Sequence, residues 1–233
     1  MVLHLTKPQS DDEGTTDIDI VTGINTDGSF KASLLIVSYN MHRYNQGSHA
    51  VRDLTLSMMP EVILLQEHWL TPVQLSKFDY DFSQYMCIGS SAMNSAVEAG
   101  VLRGRPFGGV MTLISKKLQN YTKIVCTGER YVIVIVGNLL ICNVYFPCSG
   151  TGDRLFVYEE LIEVLTSWMH VYHDHKVVIG GDFNTNLDTK NLASDLVNHF
   201  ISESNLYRCD VLSGVVNSYT YVCLLYTSPS PRD

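Results

Sequence analysis

The sequence lacks both an excess of basic residues and paired cysteines, and these absences narrow the classes of protein that it can encode. Its 233 residues carry a formal net charge of −8, which argues against a simple basic clamp for nucleic acid. The six cysteines include no CxxC pair, so we expect buried free thiols in a reducing compartment. An acidic balance still allows DNA as a substrate, because carboxylates that hold a divalent metal ion contribute to it.

The sequence also lacks any segment typical of export or of a membrane span. No basic stretch followed by an apolar stretch opens the chain, so we predict no signal peptide. The longest apolar run, Tyr131–Phe146, is interrupted by Gly137-Asn138 and is shorter than the ~20 residues that cross a bilayer. We therefore expect an intracellular protein, cytoplasmic or nuclear, with no membrane partner.

The beginning of the chain is acidic and has little apolar periodicity. Residues 1–30 contain six acidic side chains and a single lysine. Such a segment cannot bury enough apolar surface to offset the entropy lost on ordering. We therefore predict a disordered acidic leader over residues 1–31, followed by a folded domain over residues 32–222.

Beyond the leader, apolar runs of strand length alternate with apolar residues at helical spacing. Gly137-Asn138 divides one long run into two strands joined by a tight turn, since both residue types tolerate the positive φ of such turns. The mixture of helices with a hairpin predicts an α/β architecture with mixed sheets rather than an all-parallel sheet. The predicted strands and helices are centred on Leu34–Val37, Ala50–Met58, Val62–Leu65, Val110–Ile114, Tyr131–Phe146, Leu155–Met169, Lys176–Ile179 and Leu192–Phe200.

Polar residues gather where three of these strands end. Asn40 follows the first strand, Glu67 follows the second, and Asp182 and Asn184 follow the strand at Lys176–Ile179. Ligand sites in α/β folds lie at such strand ends, and carboxylate and carboxamide oxygens suit magnesium. Taken singly, the same residues could form turns or Asx motifs, so the two interpretations remain open at this level.

Taken together and in order, four segments resemble the endonuclease/exonuclease/phosphatase family, which includes deoxyribonuclease I, abasic-site endonucleases, inositol phosphatases and retrotransposon endonucleases. The segments are Ser38-Tyr39-Asn40, Ile63–Glu67, Asn143–Pro147 and Gly180-Gly181-Asp182-Phe183-Asn184. The resemblance implies a four-layer α/β sandwich, in which two mixed β-sheets pack face to face with helices outside.

The resemblance also implies phosphodiester hydrolysis with Mg²⁺ or Mn²⁺ as cofactor. By this resemblance Glu67 is the metal ligand, with Asn40 helping to order the metal and the phosphate. Asp182 orients or activates the attacking water, and Asn184 and Tyr145 donate hydrogen bonds to the phosphate. Abasic-site enzymes often carry Asn at the position of Cys148, so abasic-site specificity is not implied.

Within the family, the chain is most similar to the endonuclease domain of a non-LTR retrotransposon. The similar features are Gln66–Leu70, which matches a Gln-Glu-x-Trp pattern, and Gly104–Val110. Arg105, Gly108 and Gly109 are therefore candidate substrate-binding residues, although a glycine pair at a strand can equally reflect crowded packing. The implied partners are a DNA substrate and a fused downstream reverse transcriptase. The alternatives are a phosphohydrolase for inositol phosphates or sphingomyelin, and a degenerate fragment without activity.

The end of the chain departs from the family pattern. Family members finish with a strand that carries an Asp and a turn that carries a His, and neither is recognisable after Tyr221. Residues 223–233 match the translation of a transposase-end adapter used in sequencing libraries. We therefore predict that these residues are translated adapter, that the last strand or strands of the domain are missing, and that the chain as given is inactive.

Overall fold

A computed structural model describes residues 2–4, 34–100 and 107–208. The strands in these ranges are β1 Val2–His4, β2 Ile36–Asn40, β3 Val62–Gln66, β4 Tyr85–Ser90, β5 Val110–Ser115, β6 Thr122–Gly128, β7 Tyr131–Val136, β8 Leu139–Tyr145, β9 Lys176–Asp182 and β10 Tyr207–Arg208. The α-helices there are α1 Tyr44–Ser57, α2 Ser76–Asp81, α3 Asn94–Glu98, α4 Arg154–Val171 and α5 Leu192–Glu203. Short 3₁₀ turns occupy Pro72–Gln74 and Lys116–Tyr121.

The strands form two mixed sheets. The larger sheet has the order β10-β1-β9-β8-β7-β6, and the smaller has the order β2-β3-β5-β4. Each contains one parallel pair, β8 with β9 in the larger sheet and β2 with β3 in the smaller, while the other neighbours are antiparallel. The prediction of mixed sheets is confirmed.

Alternation along each strand divides the core into layers, because successive side chains of a strand point to opposite faces. On β3, Val62 and Leu64 belong to the cluster between the sheets, which also contains Val134 and Ile141. Ile63 and Leu65 point the other way and pack with α1 and α2. On the far side of the larger sheet, α4 and α5 cover β8 and β9. The four-layer α/β sandwich is confirmed.

The predicted hairpin is present with a two-residue turn. Val136 pairs with Leu139, and Gly137 takes a φ of 61°, a left-handed conformation that glycine adopts without a steric penalty. The larger sheet therefore runs without interruption from β7 into β8. This continuity places Tyr145, the last residue of β8, beside the last residue of β9.

The structure corrects one prediction and leaves others untested. Val2–His4, assigned above to a disordered leader, forms a strand between β9 and β10. Three residues are too few for a periodic pattern to be recognised, and their pairing depends on partners about 180 residues away. The rest of the leader and residues 209–233, with the predicted adapter, lie outside the described residues. No helix in the described ranges is long and apolar enough to cross a bilayer.

Candidate functional site

The two parallel strand pairs end at the same place, and their ends bring the predicted site residues together. Asn40 ends β2, Glu67 directly follows β3, Tyr145 ends β8 and Asp182 ends β9. Asn40 Nδ2 donates a hydrogen bond of 2.8 Å to Asp182 Oδ2. This bond joins the smaller sheet to the larger one, so the site straddles the interface between the sheets.

Asp182 is half-buried and accepts hydrogen bonds at both oxygens of its carboxylate. Its Oδ1 accepts the backbone N–H of Asn184 at 3.0 Å. This hydrogen bond forms an Asx turn, and the two residues that it joins are both predicted site residues. Burial raises the pKa of this carboxyl, while the donors Asn184 and Asn40 act in the opposite direction. Gly181, just before it, has a φ of 147° and lies so close to Val144 that a Cβ would meet the Val144 carbonyl oxygen. Because Gly181 has no side chain, the end of β9 that carries Asp182 can lie close against β8.

Tyr145 and Glu67 form the second contact between the sheets. Burial raises the pKa of the Tyr145 hydroxyl, and the nearby charge of Glu67 together with a hydrogen bond to it raises the pKa further. Tyr145 therefore remains protonated and donates to the carboxylate. The guanidinium of Arg130 lies 5.3 Å from the centre of the Tyr145 ring, and His42 Nδ1 lies 3.8 Å from Glu67 Oε2.

Asn184 is fixed in a strained turn. It has a φ of 47°, and its Nδ2 donates to the carbonyl oxygen of Phe146 at 2.8 Å. Arg154, at the start of α4, donates to the carbonyl oxygens of Asn184 at 2.7 Å and of Pro147 at 3.1 Å. The loops after β8 and β9 are therefore tied to each other and to α4.

A buried network of hydrogen bonds from side-chain amides supports the strands that carry the site residues. Asn143 Nδ2 contacts the carbonyl oxygens of Leu65 at 3.2 Å and Met111 at 3.0 Å. Its Oδ1 accepts from Gln66 Nε2 at 2.7 Å. Because Gln66 precedes Glu67 and Asn143 lies two residues before Tyr145, the network connects the backbones that carry these two side chains.

The turns around Glu67 are strained. His42, Arg43, Glu67 and Trp69 all have positive φ, which is uncommon for residues with a side chain. The turns are fixed by backbone hydrogen bonds from Arg43 to Glu67 at 2.9 Å and from Glu67 to Gly109 at 2.9 Å. Such strain tends to cluster at functional sites, where the surrounding structure maintains it.

The predicted substrate-binding glycines have a packing role in the structure. Gly109, with a φ of 86°, lies so close to the ring of His68 that a Cβ would collide with it, and a Cβ on Gly108 would contact Ala92. These observations support crowded packing as the reason for the pair. Contact of Gly108 and Gly109 with substrate stays a prediction, and Arg105 lies outside the described residues.

The side chains that converge on the site offer oxygen donors. Within residues 2–4, 34–100 and 107–208, no group of three or more His, Cys, Asp or Glu side chains has the spacing of a metal site. Glu67 and Asp182 supply carboxylates and Asn40 supplies a carboxamide oxygen. Magnesium commonly takes one or two carboxylates and completes its coordination with water and phosphate. The donor chemistry therefore fits Mg²⁺ or Mn²⁺, with Glu67 and Asn40 as the residues that would hold it.

Several supporting residues were not identified from the sequence. Arg130 and Arg154 lie in a turn and at a helix start, where a single arginine gives no signal of its partner. Asn143 could have been singled out, because a carboxamide inside the apolar run Leu139–Tyr145 must find hydrogen bonds when it is buried.

The sequence profile of the Endonuclease/Exonuclease/phosphatase family matches residues 37–202. The chain belongs to this family. A search of curated protein sequences finds no match.

Solved structures share the fold at low sequence identity. An AP endonuclease from Leishmania major has a TM-score of 0.58 and 14% identity, over 84% of this chain and 76% of that one. A 3' phosphatase from Neisseria bound to product DNA hairpin has a TM-score of 0.54 and 15% identity, over 72% and 70%. An AP endonuclease from Archaeoglobus fulgidus has a TM-score of 0.53 and 13% identity, over 72% and 70%.

Proposed function

We propose that this domain is a magnesium- or manganese-dependent endonuclease that nicks DNA. The observation that carries the proposal is the convergence of Asn40, Glu67, Tyr145 and Asp182 at the ends of two parallel strand pairs, with Asn40 bonded to Asp182 at 2.8 Å. DNA is the favoured substrate because the similar structures include AP endonucleases and a phosphatase bound to a DNA hairpin.

Asp182 is the group that orients and deprotonates the attacking water. Its hydrogen bonds from Asn40 and from the backbone of Asn184 fix the carboxylate plane. Burial raises its pKa, which brings a carboxylate closer to the range in which it accepts a proton effectively. Tyr145, once its O–H turns from Glu67 to the substrate, and Asn184, through the second N–H of its amide, donate hydrogen bonds to the phosphate, where negative charge grows in the transition state. Glu67 and Asn40 would hold the metal ion, which would supply charge neutralisation at the phosphate and stabilisation of the leaving oxygen.

We further propose that the domain belongs to a non-LTR retrotransposon and is fused in nature to a reverse transcriptase. Gln66–Leu70 and Gly104–Val110 support this origin. In such an element, the nick supplies the 3' end from which reverse transcription begins. Sequencing a transcript from the source beyond residue 222 tests the origin, since a reverse transcriptase reading frame is expected downstream.

The catalytic assignment is tested by nicking of supercoiled plasmid. The assay uses the protein encoded by the source transcript, because residues 223–233 are predicted to be adapter. Glu67→Ala and Asp182→Ala are each expected to lower the rate by about 10²–10⁴. The matched controls are the exposed carboxylates Glu159 and Asp174, whose replacement by Ala should leave the rate unchanged. A near-parental rate for either site variant would show that its assigned role is wrong.

The same protein distinguishes the alternative substrates. Hydrolysis of inositol phosphates or sphingomyelin in place of DNA would identify a phosphohydrolase built on this fold. No hydrolysis of any of these, with either metal ion, would identify a degenerate domain.

A further inference from the structure

A cleft of about 440 Å³ is lined by the residues that directly follow Glu67 in the chain and by residues at the start of α1. Its size lies within the ~300–1,000 Å³ of sites that bind small molecules. The roles proposed above for Asn40, Glu67, Tyr145, Asp182 and Asn184 make no use of it. Its lining residues are Arg43, Tyr44, Asn45, His68, Trp69, Leu70, Gln74 and Lys77.

One wall of the cleft is a platform formed by the Arg43 guanidinium packed over the ring of Trp69. The Arg43 guanidinium carbon lies 4.6 Å from the centre of the Trp69 ring, and the His42 ring lies 5.3 Å from the same ring. Arg43 and Trp69 are adjacent because strained turns hold them, through backbone bonds from Arg43 to Glu67 at 2.9 Å and from Trp69 to Gly108 at 3.0 Å. The platform therefore has a fixed position relative to Glu67.

The cleft is also lined by an exposed cation and by buried side chains. Lys77 is exposed and lies 5.8 Å from the Tyr44 ring, whereas His68 and Leu70 are buried. Among the lining residues none carries a carboxylate, although the whole chain has a net charge of −8. A ligand that fits this chemistry has a flat, uncharged face for the platform and a neighbouring negative charge for Arg43 and Lys77.

We propose that this cleft binds one unpaired nucleobase of the DNA, next to the phosphate that is cut. The inference rests on the proposed function, because it names the form of DNA that the same site accepts. Bases that leave the helical stack bind to aromatic rings and to guanidinium planes. The energy of unstacking is lowest at a mismatch, a nick or a single strand. The carboxamides of Asn45 and Gln74 lie at the cleft and are suited to contact a base edge.

The proposal is tested by the fluorescence of Trp69 in the chain of residues 1–233. The protein has two tryptophans, so Trp168→Phe leaves Trp69 as the only one. Trp168 lies on α4, in the layer on the far side of the larger sheet. The probes are a thymidine 12-mer, a fully paired duplex of the same length and inorganic polyphosphate, all in buffer with EDTA so that no cutting occurs. The single strand is expected to quench Trp69 strongly, and the other two probes only weakly.

Binding of a fluorescently labelled thymidine 12-mer provides the second measurement. Trp69→Ala is expected to lower the affinity roughly 5- to 100-fold, the effect of losing one stacked base, whereas Trp69→Phe retains most of it. Arg43→Lys should bind less tightly than the parent, because it keeps the charge but not the plane. Lys77→Ala weakens binding, and its control Lys123→Ala, at the exposed edge strand β6, does not.

The outcomes separate the cleft from the catalytic site. Equal quenching by polyphosphate and by the 12-mer, or equal affinity of Trp69→Ala and the parent, would overturn the base-binding proposal. In the protein encoded by the source transcript, Asp182→Ala is expected to lower nicking by about 10²–10⁴, whereas in the chain of residues 1–233 it should leave quenching of Trp69 unchanged. If nicking is lost while quenching is retained, the result bears only on the proposed function. If a protein nicks DNA but shows no quenching of Trp69, the result bears only on the base-binding cleft.

Discussion

At the scale of single residues, the surroundings of His68 keep its imidazole ring neutral. The ring is fully buried, its Nδ1 accepts the N–H of Leu70 at 3.0 Å, and its Nε2 lies 3.0 Å from the carbonyl oxygen of Ser90. These partners require the neutral tautomer with a proton on Nε2, because a proton on Nδ1 would face the N–H of Leu70. Burial lowers the pKa of His68 to about 4.

This lowered pKa predicts a loss of stability in acid. Below pH 6.5 the unfolded chain binds a proton at His68 that the folded protein does not bind until about pH 4. The free energy of unfolding therefore decreases as the pH falls through this window, by up to about 3 kcal/mol. Urea unfolding in metal-free buffer between pH 7 and pH 4.5 measures the decrease. His68→Gln should show a smaller decrease, and the exposed His49→Gln should match the parent. Identical slopes for all three proteins would contradict the assignment.

Gly109 and Gly150 provide a matched test of crowding at the site. Their φ values are 86° and 90°, but a Cβ would strike His68 at Gly109 and would meet nothing within 4 Å at Gly150. Gly150→Ala is expected to lower the free energy of unfolding by about 1 kcal/mol through backbone strain alone. Gly109→Ala should lower it by about 3 kcal/mol, since overpacking adds to the strain. Equal losses in chemical denaturation would show that His68 moves aside freely.

The site residues could be predicted only in part from the sequence. Asn40, Glu67 and Asp182 follow apolar runs, and an oxygen-bearing side chain at a strand end is visible in a sequence. The pairing of Arg43 with Trp69 is not visible, because it depends on two left-handed turns separated by 26 positions. The sequence likewise contains no signal that the hydroxyl of Tyr145 is directed to Glu67.

Among the elements, those with long apolar runs were predicted and those with mixed composition were missed. β3, β5, β8, β9 and α4 carry runs that are buried or periodic. β6 was missed because it is an edge strand with exposed Lys123 and Ile124, and a bulge between Ile124 and Cys126 disrupts its alternation. β4 was missed because it lacks a continuous aliphatic run and ends in Gly89 and Ser90, and the six-residue α2 is too short for a helical period to be recognised.

One buried side chain of β8 makes polar contacts across the interface between the sheets. Asn143 bridges to Leu65 and Met111, which are paired across β3 and β5. Asn143→Ala leaves these carbonyls and Gln66 without their partner, so we expect a loss of about 3 kcal/mol in the free energy of unfolding. Asn198→Ala, which removes one half-buried bond to Leu187 of 3.0 Å, should cost about 1 kcal/mol. Equal losses measured by urea unfolding would mean that water replaces the Asn143 amide.

For the whole molecule, the number of cations that contact phosphate determines how DNA binding depends on salt. The net charge of −8 gives little general attraction, and we expect Arg43, Lys77 and Arg130, three of the described cations at the site and the cleft, to contact phosphate. If each neutralises one phosphate, a plot of log affinity against log salt concentration has a slope of about −3. Fluorescence anisotropy from 50 to 200 mM NaCl, roughly the range over which such slopes are measured, checks this value. Lys77→Ala should make the slope shallower by about 1, and Lys117→Ala should not. A slope steeper than about −6 would indicate a further basic surface.

The order of the strands along the chain has a consequence for how the protein could be divided. Residues 36–115 contain all strands of the smaller sheet, and residues 122–208 contain every strand of the larger sheet except β1. The turn at Lys116–Tyr121 connects them. A chain cut in this turn would give two fragments, one with Asn40 and Glu67 and the other with Tyr145 and Asp182. Neither fragment alone would contain all four site residues, and the site would form again only when the two fragments associate. The domain therefore has the arrangement that a split reporter of association needs.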